Sequence, residues 1–234
     1  MRRPGNIAGN HWFGDFKEKP KKVLHPDIYA YSSKHISPGI RKGVKEVAEQ
    51  IYTFDLFTPE FCKKLIAEAE FQGGWSTGID KAGFSGFGVL EDLFKSNKKE
   101  NEKDTTLSLE DFPSKGSLSL SNTINQTSKR IVRPFVEKLW KSFAISRYDQ
   151  PYLLKYDPKV VNKMNLHNDQ ETVALVVYLN TGYEGGGTYF PRWKLKMQPE
   201  KAGQAAMWPG GVSHEHIGLP ITGGLRYLLC CAYY

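Results

Sequence analysis

No apolar run in this chain approaches the roughly 20 residues needed to cross a bilayer, so a membrane-spanning role is not expected. Its first residues, Met1-Arg2-Arg3-Pro4-Gly5-Asn6, lack the apolar stretch of a secretory signal. Cysteine is scarce: there are three, an odd count, and two of them, Cys230 and Cys231, are neighbours. Adjacent residues of a strand point to opposite faces and rarely bridge. A disulfide framework is therefore not expected, and a cytoplasmic or other reducing compartment is. No Ser-His-Asp or Cys-His arrangement stands out, and Cys62 reads as a core residue on a helix face rather than a nucleophile. The glycine-rich turn Glu184-Gly185-Gly186-Gly187-Thr188 lacks the strand-before, helix-after setting of a phosphate loop, which excludes nucleotide binding there. Its glycines either let backbone come close to a site or form a bulge.

Acidic residues are outnumbered, 25 against 32 lysines and arginines, for a formal charge of +7. Much of the excess lies in Lys17-Glu18-Lys19-Pro20-Lys21-Lys22 and in the stretch from Lys95 to Lys103, which is mixed with Glu100 and Glu102. No aromatic residues interleave with these runs as they would on a single-strand platform. They read as solvated loops, and no nucleic-acid partner is expected.

What is present is a chain of 234 residues, enough for one sizeable core and an appendage, with 13% aromatics to fill it. Residues 1–48, with many Pro, Gly, Lys and His and no sustained periodicity, read as an irregular basic arm packed through Trp12, Phe13 and Tyr29. Residues 49–234 read as one catalytic domain. Ile51–Phe57 alternates and is rich in β-formers, so it reads as a strand. Thr58-Pro59 starts a helix as cap and first turn; Phe61, Cys62, Leu65, Ile66 and Ala69 mark its apolar face, and Gly73-Gly74 stops it. The segment 79–106 is a long polar loop, a candidate lid. Apolar residues recur at helical spacing from Ile124 to Phe143, with Pro134 kinking or starting the helix. From Tyr152 onward strands are predicted over Tyr152–Tyr156, Thr172–Leu179, Thr188–Phe190, Lys194–Met197, Gln204–Trp208, Val212–His216 and Leu225–Tyr233. Helices followed by many short strands predict a mainly β fold with flanking helices, a sheet sandwich backed by helices.

The chemistry is carried by His167-Asn168-Asp169, by His216, and by Arg226 ten residues after it. Two imidazoles and one carboxylate make the three-cornered set that holds non-haem Fe(II) with open positions opposite. With one residue between them, His167 and Asp169 leave the same face of an extended segment. His214 competes with His216 for the third position; the spacing to Arg226 favours His216. Residues 217–225, with Gly218, Pro220, Gly223 and Gly224, read as a reversal that returns Arg226 to the same site. An arginine there suits the far carboxylate of a 2-oxo acid, because its planar fork grips carboxylates bidentately. Tyr156 either gives its hydroxyl to that carboxylate or packs in the core.

Together, Tyr156, Leu166-His167-Asn168-Asp169, Tyr183 to Phe190, His214-Glu215-His216-Ile217-Gly218-Leu219-Pro220 and Arg226-Tyr227 resemble the catalytic domain of procollagen-lysine hydroxylases, and more broadly the prolyl 4-hydroxylase-type 2-oxoglutarate oxygenases. The resemblance spans roughly residues 53–234. It implies a double-stranded β-helix (a jelly roll, cupin-like), with His167, Asp169 and His216 as iron ligands and Arg226 and Tyr156 holding 2-oxoglutarate. It implies Fe(II), 2-oxoglutarate and O2 as cofactor and co-substrates, with ascorbate as an accessory reductant. It implies hydroxylation of a lysyl or prolyl side chain in a peptide or protein, with release of succinate and CO2. The departures are Val176, where the family often has asparagine, Thr188 in place of cysteine, and the missing glycosyltransferase-like domains. They motivate an alternative substrate, a free amino acid or other small molecule; a non-catalytic jelly-roll binding module is the third reading.

Overall fold

The computed structural model describes residues 22–73, 75, 106–115, 118–141, 143 and 145–234. The expected lid over 79–106 and the packing of Trp12 and Phe13 fall, apart from Thr106, outside these residues. Thirteen strands can be numbered in chain order among the described residues: β1 Lys45–Ala48, β2 Ile51–Asp55, β3 Thr106–Ser108, β4 Tyr152–Tyr156, β5 Met164–His167, β6 Val173–Tyr178, β7 Glu184–Gly185, β8 Thr188–Phe190, β9 Leu195–Met197, β10 Gln204–Pro209, β11 His216–Gly218, β12 Ile221–Gly223 and β13 Arg226–Tyr233. The helices are α1 Pro59–Gln72, α2 Leu120–Thr127 and α3 Arg133–Leu139.

The strands form a seven-stranded major sheet in the order β1-β2-β10-β6-β13-β4-β3, a four-stranded minor sheet in the order β5-β11-β8-β9, and a two-stranded β12-β7 ribbon. All recorded pairings are antiparallel. This is the double-stranded β-helix, with two sheets facing each other. The centre of the major sheet is β6, whose run Val-Ala-Leu-Val-Val-Tyr is covered on both faces. β-branched and aromatic residues fit such a doubly packed surface.

The period-2 alternation of the strands divides the core into two halves. Leu175, Val177, Met207, Leu229 and Tyr233 point toward α1 and α2 and share a cluster with Phe61, Leu65 and Ile124. Their sequence neighbours Ala174, Tyr178, Trp208, Leu228 and Cys230 point the other way, into the space between the two sheets. Cys230 and Cys231 accordingly face opposite sides.

Helix α1 begins where the Thr58 hydroxyl accepts the Phe61 N–H and ends at Gly73, whose φ of 60° suits glycine. Its apolar side buries Phe61, Cys62, Leu65 and Ala69. Glu68, 0% exposed, lies on the same side. Its carboxylate accepts the N–H groups of Leu24 (2.9 Å) and His25 (2.7 Å), the Tyr29 hydroxyl (3.0 Å) and the Gln72 amide (2.7 Å). A buried carboxylate is tolerated when its lone pairs are satisfied in this way, and here it ties residues 24–29 to the helix.

The short strands β3, β5, β7 and β12 are not anticipated by the sequence, and three further elements differ from its expectation. Strand β1 lies inside the segment read as aperiodic and pairs with β2 at the edge of the major sheet. The helical spacing from Ile124 to Phe143 resolves into α2, a wider turn over Ser128–Val132, and α3, with Pro134 starting α3 as one of the two expected roles. Val212–His214 is a helical turn, and the strand begins at His216. The cause is Gly210, where a Cβ would collide with the Glu171 carbonyl oxygen. This close backbone approach, with the Gly210 N–H to Thr172 carbonyl bond of 3.2 Å and the Gly211 N–H to Asp169 carbonyl bond of 2.7 Å, turns the chain at 210–211, after β10 has ended at Pro209.

Candidate metal centre and anion seat

In the minor sheet β5 and β11 run antiparallel, with His167 directly across from His216. The two imidazoles stand with centroids 4.2 Å apart. Asp169 follows β5 by two residues, and its carbonyl is fixed by the Gly211 N–H. Its carboxylate turns back toward both rings: one oxygen lies 3.8 Å from His167 Nε2 and the other 3.8 Å from His216 Nε2. The three ligand atoms lie within 4.8 Å of one another. Among the described residues this is the one group of His, Cys, Asp and Glu arranged to hold a metal ion.

The proton positions follow from the partners. His167 Nδ1 is 2.8 Å from the Asn165 carbonyl, and His216 Nδ1 is 3.0 Å from the His214 carbonyl. A carbonyl only accepts, so both rings are assigned their proton on Nδ1, which leaves both Nε2 lone pairs facing the carboxylate. Burial lowers the pKa of His216, with Asp169 opposing and His167 reinforcing the shift, and this favours the neutral ring. The Asp169 carboxylate is held in place by the indole N–H of Trp208, 2.9 Å from Oδ2. Trp208 in turn packs edge-on against His216 and Phe190, with centroids at 4.9 and 5.1 Å.

The same cavity is lined at its other end by Arg226, Tyr156 and Thr188. Arg226 opens β13 directly across from Tyr156 on β4, so register alone puts the two on one face. Arg226 is 1% exposed. Its guanidinium makes two long contacts of 3.4 Å, to the Gly187 carbonyl and to Thr188 Oγ1, and its Nε has no partner. No carboxylate among the described residues pairs with it. Aromatic rings surround it instead: Tyr156 at 5.1 Å, Tyr178 at 5.7 Å and Tyr183 at 5.9 Å. Burial pushes the Tyr156 hydroxyl up to about 12, with Arg226 pulling the other way, so the phenol stays protonated and can donate. The Tyr178 hydroxyl donates to Thr188 Oγ1 at 3.2 Å. Thr188 Oγ1 thus accepts from both Tyr178 and Arg226, and its own proton is left for a further acceptor. The close approach of Gly187 rests on a φ of 106°, which other residues rarely adopt.

All five residues singled out in the sequence therefore line one cavity, the metal group at one end and the Arg226 seat at the other. His214 is not in the metal group; its side chain points away, toward Glu49. Sequence reasoning missed Trp208, Tyr178 and Tyr183, and took Thr188 only as a departure. Two of them were legible in principle, because Tyr178 and Trp208 share a strand parity with the inner faces of β6 and β10. It also missed Glu171, which lines the cavity beside Asp169. Burial first, and then the Asp169 charge, push its carboxyl up to about 7.

No family model matches the chain. It is 29% identical over 216 residues to the "Procollagen lysyl hydroxylase and glycosyltransferase" of Acanthamoeba polyphaga mimivirus, a match that covers 91% of this chain and 22% of that protein. It is 26% identical over 191 residues to the "Procollagen-lysine,2-oxoglutarate 5-dioxygenase 1" of Rattus norvegicus, covering 80% of this chain and 24% of that one. The chain thus spans about a quarter of the length of these curated relatives. Among solved structures, the viral collagen prolyl hydroxylase of Paramecium Bursaria Chlorella virus-1, determined as a 2OG complex, superposes with a TM-score of 0.53 at 16% identity over 80% of this chain and 96% of that one. Over most of its length this chain is similar in sequence to the procollagen lysyl hydroxylases, and its fold is that of the prolyl hydroxylases.

Proposed function

We propose that the chain is an Fe(II)- and 2-oxoglutarate-dependent hydroxylase acting on a lysyl or prolyl side chain of a peptide or protein. The observation that carries the reading is one cavity with a His-Asp-His group at one end and a buried arginine without a carboxylate partner at the other. Two imidazoles and a carboxylate suit ferrous iron and leave positions open for other ligands. The unsatisfied Arg226 Nε, with the free hydroxyl protons of Thr188 and Tyr156, suits a carboxylate. The Arg226 half therefore fits the 2-oxoglutarate that the similar proteins' names and titles mention, and the donor set of the other half fits a ferrous ion.

In this reading His167, Asp169 and His216 hold the metal, and Arg226 with Tyr156 holds the far carboxylate of 2-oxoglutarate. When bound, the ferrous ion and the 2-oxo acid supply the oxidising chemistry: O2 is reduced as the acid loses CO2 to give succinate, and one oxygen atom goes to a substrate C–H. The protein's own residues supply geometry. The carbonyls of Asn165 and His214 fix the imidazole tautomers. Trp208 holds the carboxylate so that it need not reorient on binding. Ala174, Val176, Leu228 and Cys230 line the cavity with apolar surface that excludes water from the reacting atoms.

The test is anaerobic titration with Fe(II) and 2-oxoglutarate, then admission of O2 in the presence of lysyl and prolyl peptides and free amino acids. A +16 product with stoichiometric succinate is expected, and both are lost in His167→Ala. Iron binding and succinate formation that survive His167→Ala would overturn the reading in favour of a non-catalytic module. A product confined to the free amino acids would correct the substrate class.

A further inference from the structure

His214 is no ligand, yet it is buried and held on three sides. Its Nε2 lies 3.3 Å from the Glu49 carbonyl, in the β1–β2 turn. A carbonyl only accepts, so the ring is assigned its proton on Nε2. Nδ1 is then the acceptor, and the Ser213 hydroxyl donates to it at 2.9 Å. The ring packs on Trp193 with centroids 5.0 Å apart. Arg192 lies over that same indole and reaches the Glu49 carboxylate at 3.4 Å. The backbone of the turn is tied by the Gly211 N–H to the Asp169 carbonyl (2.7 Å) and the His214 N–H to the Gly211 carbonyl (3.1 Å), but its other side chains hold little: Val212 is 79% exposed, and of Val212–His214 only His214 is buried. Yet this turn presents the carbonyl that takes the Nδ1 proton of His216 at 3.0 Å.

Resting on the metal reading above, we propose that His214 is a positioning residue for the metal centre. Its side chain pins the turn to the β1–β2 hairpin, and the pinned carbonyl fixes the tautomer and ring angle of His216. The anchor extends further. Gln50, next to Glu49, accepts the Trp140 indole N–H at 3.2 Å, so the hairpin turn is itself tied to the helical layer behind the major sheet. Without the His214 ring, His216 keeps its place in β11 but loses the fixed acceptor that holds Nε2 toward Asp169.

The test uses the full chain and Co(II), whose visible bands report its ligands. His214→Ala is expected to weaken Co(II) binding about 10- to 100-fold, the usual cost of removing a partner that orients a metal ligand. His214→Gln, whose amide can still donate to the Glu49 carbonyl, is expected to stay within about threefold of the parent, the cost of one imperfect hydrogen bond. At saturating Co(II), the affinity for 2-oxoglutarate is expected to change less than about threefold in both, since Arg226 and Tyr156 lie on the major sheet, away from the His214 turn. A merely structural role would move both ligands together and would not be rescued by glutamine. Should His214→Ala not fold, Ser213→Ala carries the test with the ring in place, with about a threefold to tenfold loss of Co(II) affinity expected from one hydrogen bond. Equal Co(II) binding by parent and His214→Ala (or Ser213→Ala), no rescue by glutamine, or parallel loss of both ligands overturns the inference. A parent whose Co(II) affinity is indifferent to His167→Ala overturns the metal reading and this inference with it.

Discussion

Arg226→Met separates the stability of this fold from its proposed activity. Removing a charged group from water costs several kcal/mol even after relaxation. Against this stand three tyrosine rings, of which only Tyr156, at 5.1 Å, is well inside the range where such contacts contribute. Two contacts of 3.4 Å add little, being beyond the usual N–H···O distance. The unsatisfied Nε adds a further cost of about 1–3 kcal/mol. The favourable terms fall short, so methionine, similar in volume and uncharged, is expected to stabilise the ligand-free protein by about 1–2 kcal/mol, within the range seen when buried charges are replaced by packed apolar groups. At about 2–4 °C per kcal/mol for a chain of this size, Tm rises by roughly 2–8 °C. With Co(II) and 2-oxoglutarate at 100 times its Kd, the parent gains about 2.7 kcal/mol and the variant nothing, so the order of the two melting curves reverses. Thermal unfolding with and without 2-oxoglutarate reads both effects. A ligand-free variant several degrees less stable than the parent, or equal gains from the ligand, would refute the reasoning.

Three other perturbations test separate links. Trp208→Phe removes the N–H that holds Asp169; a hydrogen bond to a charged acceptor is worth about 1.5–3 kcal/mol, so Co(II) affinity is expected to fall about 10- to 100-fold, and an unchanged Kd would show that the indole does not orient the carboxylate. His35 has its pKa lowered by burial, with Asp27 opposing and Lys64 reinforcing, so on acidification the unfolded chain takes up its proton before the folded one does and stability is lost as pH falls through about 6.5. Urea unfolding at pH 7 and pH 5 is expected to show a smaller loss for His35→Gln than for the parent; equal losses exclude His35 as the group responsible. Burial pushes the thiols of Cys62 and Cys231 up to about 12 and that of Cys230 higher still, so iodoacetamide at pH 8 is expected to leave the native chain unmodified and to add three groups in urea, as counted by mass spectrometry; native labelling would contradict the packing.

The parts of this molecule that could be read from the sequence are those whose signal is local. Helix α1 carries its own cap, its own apolar stripe and its own stop between Thr58 and Gly73. Strand β6 is rich in β-branched and aromatic residues and is packed on both faces, and β4, β10 and β13 carry continuous apolar or aromatic runs bounded by turn residues. Strand β5 was missed because it is half exposed and polar, with Asn165 beside an exposed Leu166. Strand β11 was displaced because the turn before it depends on Gly210 meeting a carbonyl 39 positions earlier in the chain, which no local pattern encodes. The same division runs through the site. His167 and Asp169 form a pattern only three residues long. Trp208 and Tyr178 look like ordinary core residues until strand register shows what their polar atoms reach.

The two halves of the site sit on different sheets, and this sets what the fold must control. The histidines come from β5 and β11 of the minor sheet. Arg226, Tyr156 and Tyr178 come from β13, β4 and β6 of the major one. Each half is fixed internally by backbone hydrogen bonds, which hold register to a fraction of an ångström. The separation between halves is fixed only by what packs between the sheets. Phe190 on β8 is central to that packing: it is fully buried, with its ring 5.3 Å from His216 and 5.1 Å from Trp208. Trp208 belongs to the major sheet and bonds to Asp169 at the end of the minor one, so one indole spans the gap both as an apolar wedge and as a donor. Thr188, two residues before Phe190, spans it again by accepting from Tyr178 and Arg226. The distance from metal group to carboxylate seat is therefore set by a small wedge of side chains on β8 and β10, and that wedge, as much as the ligands themselves, decides whether one bound 2-oxo acid can reach both.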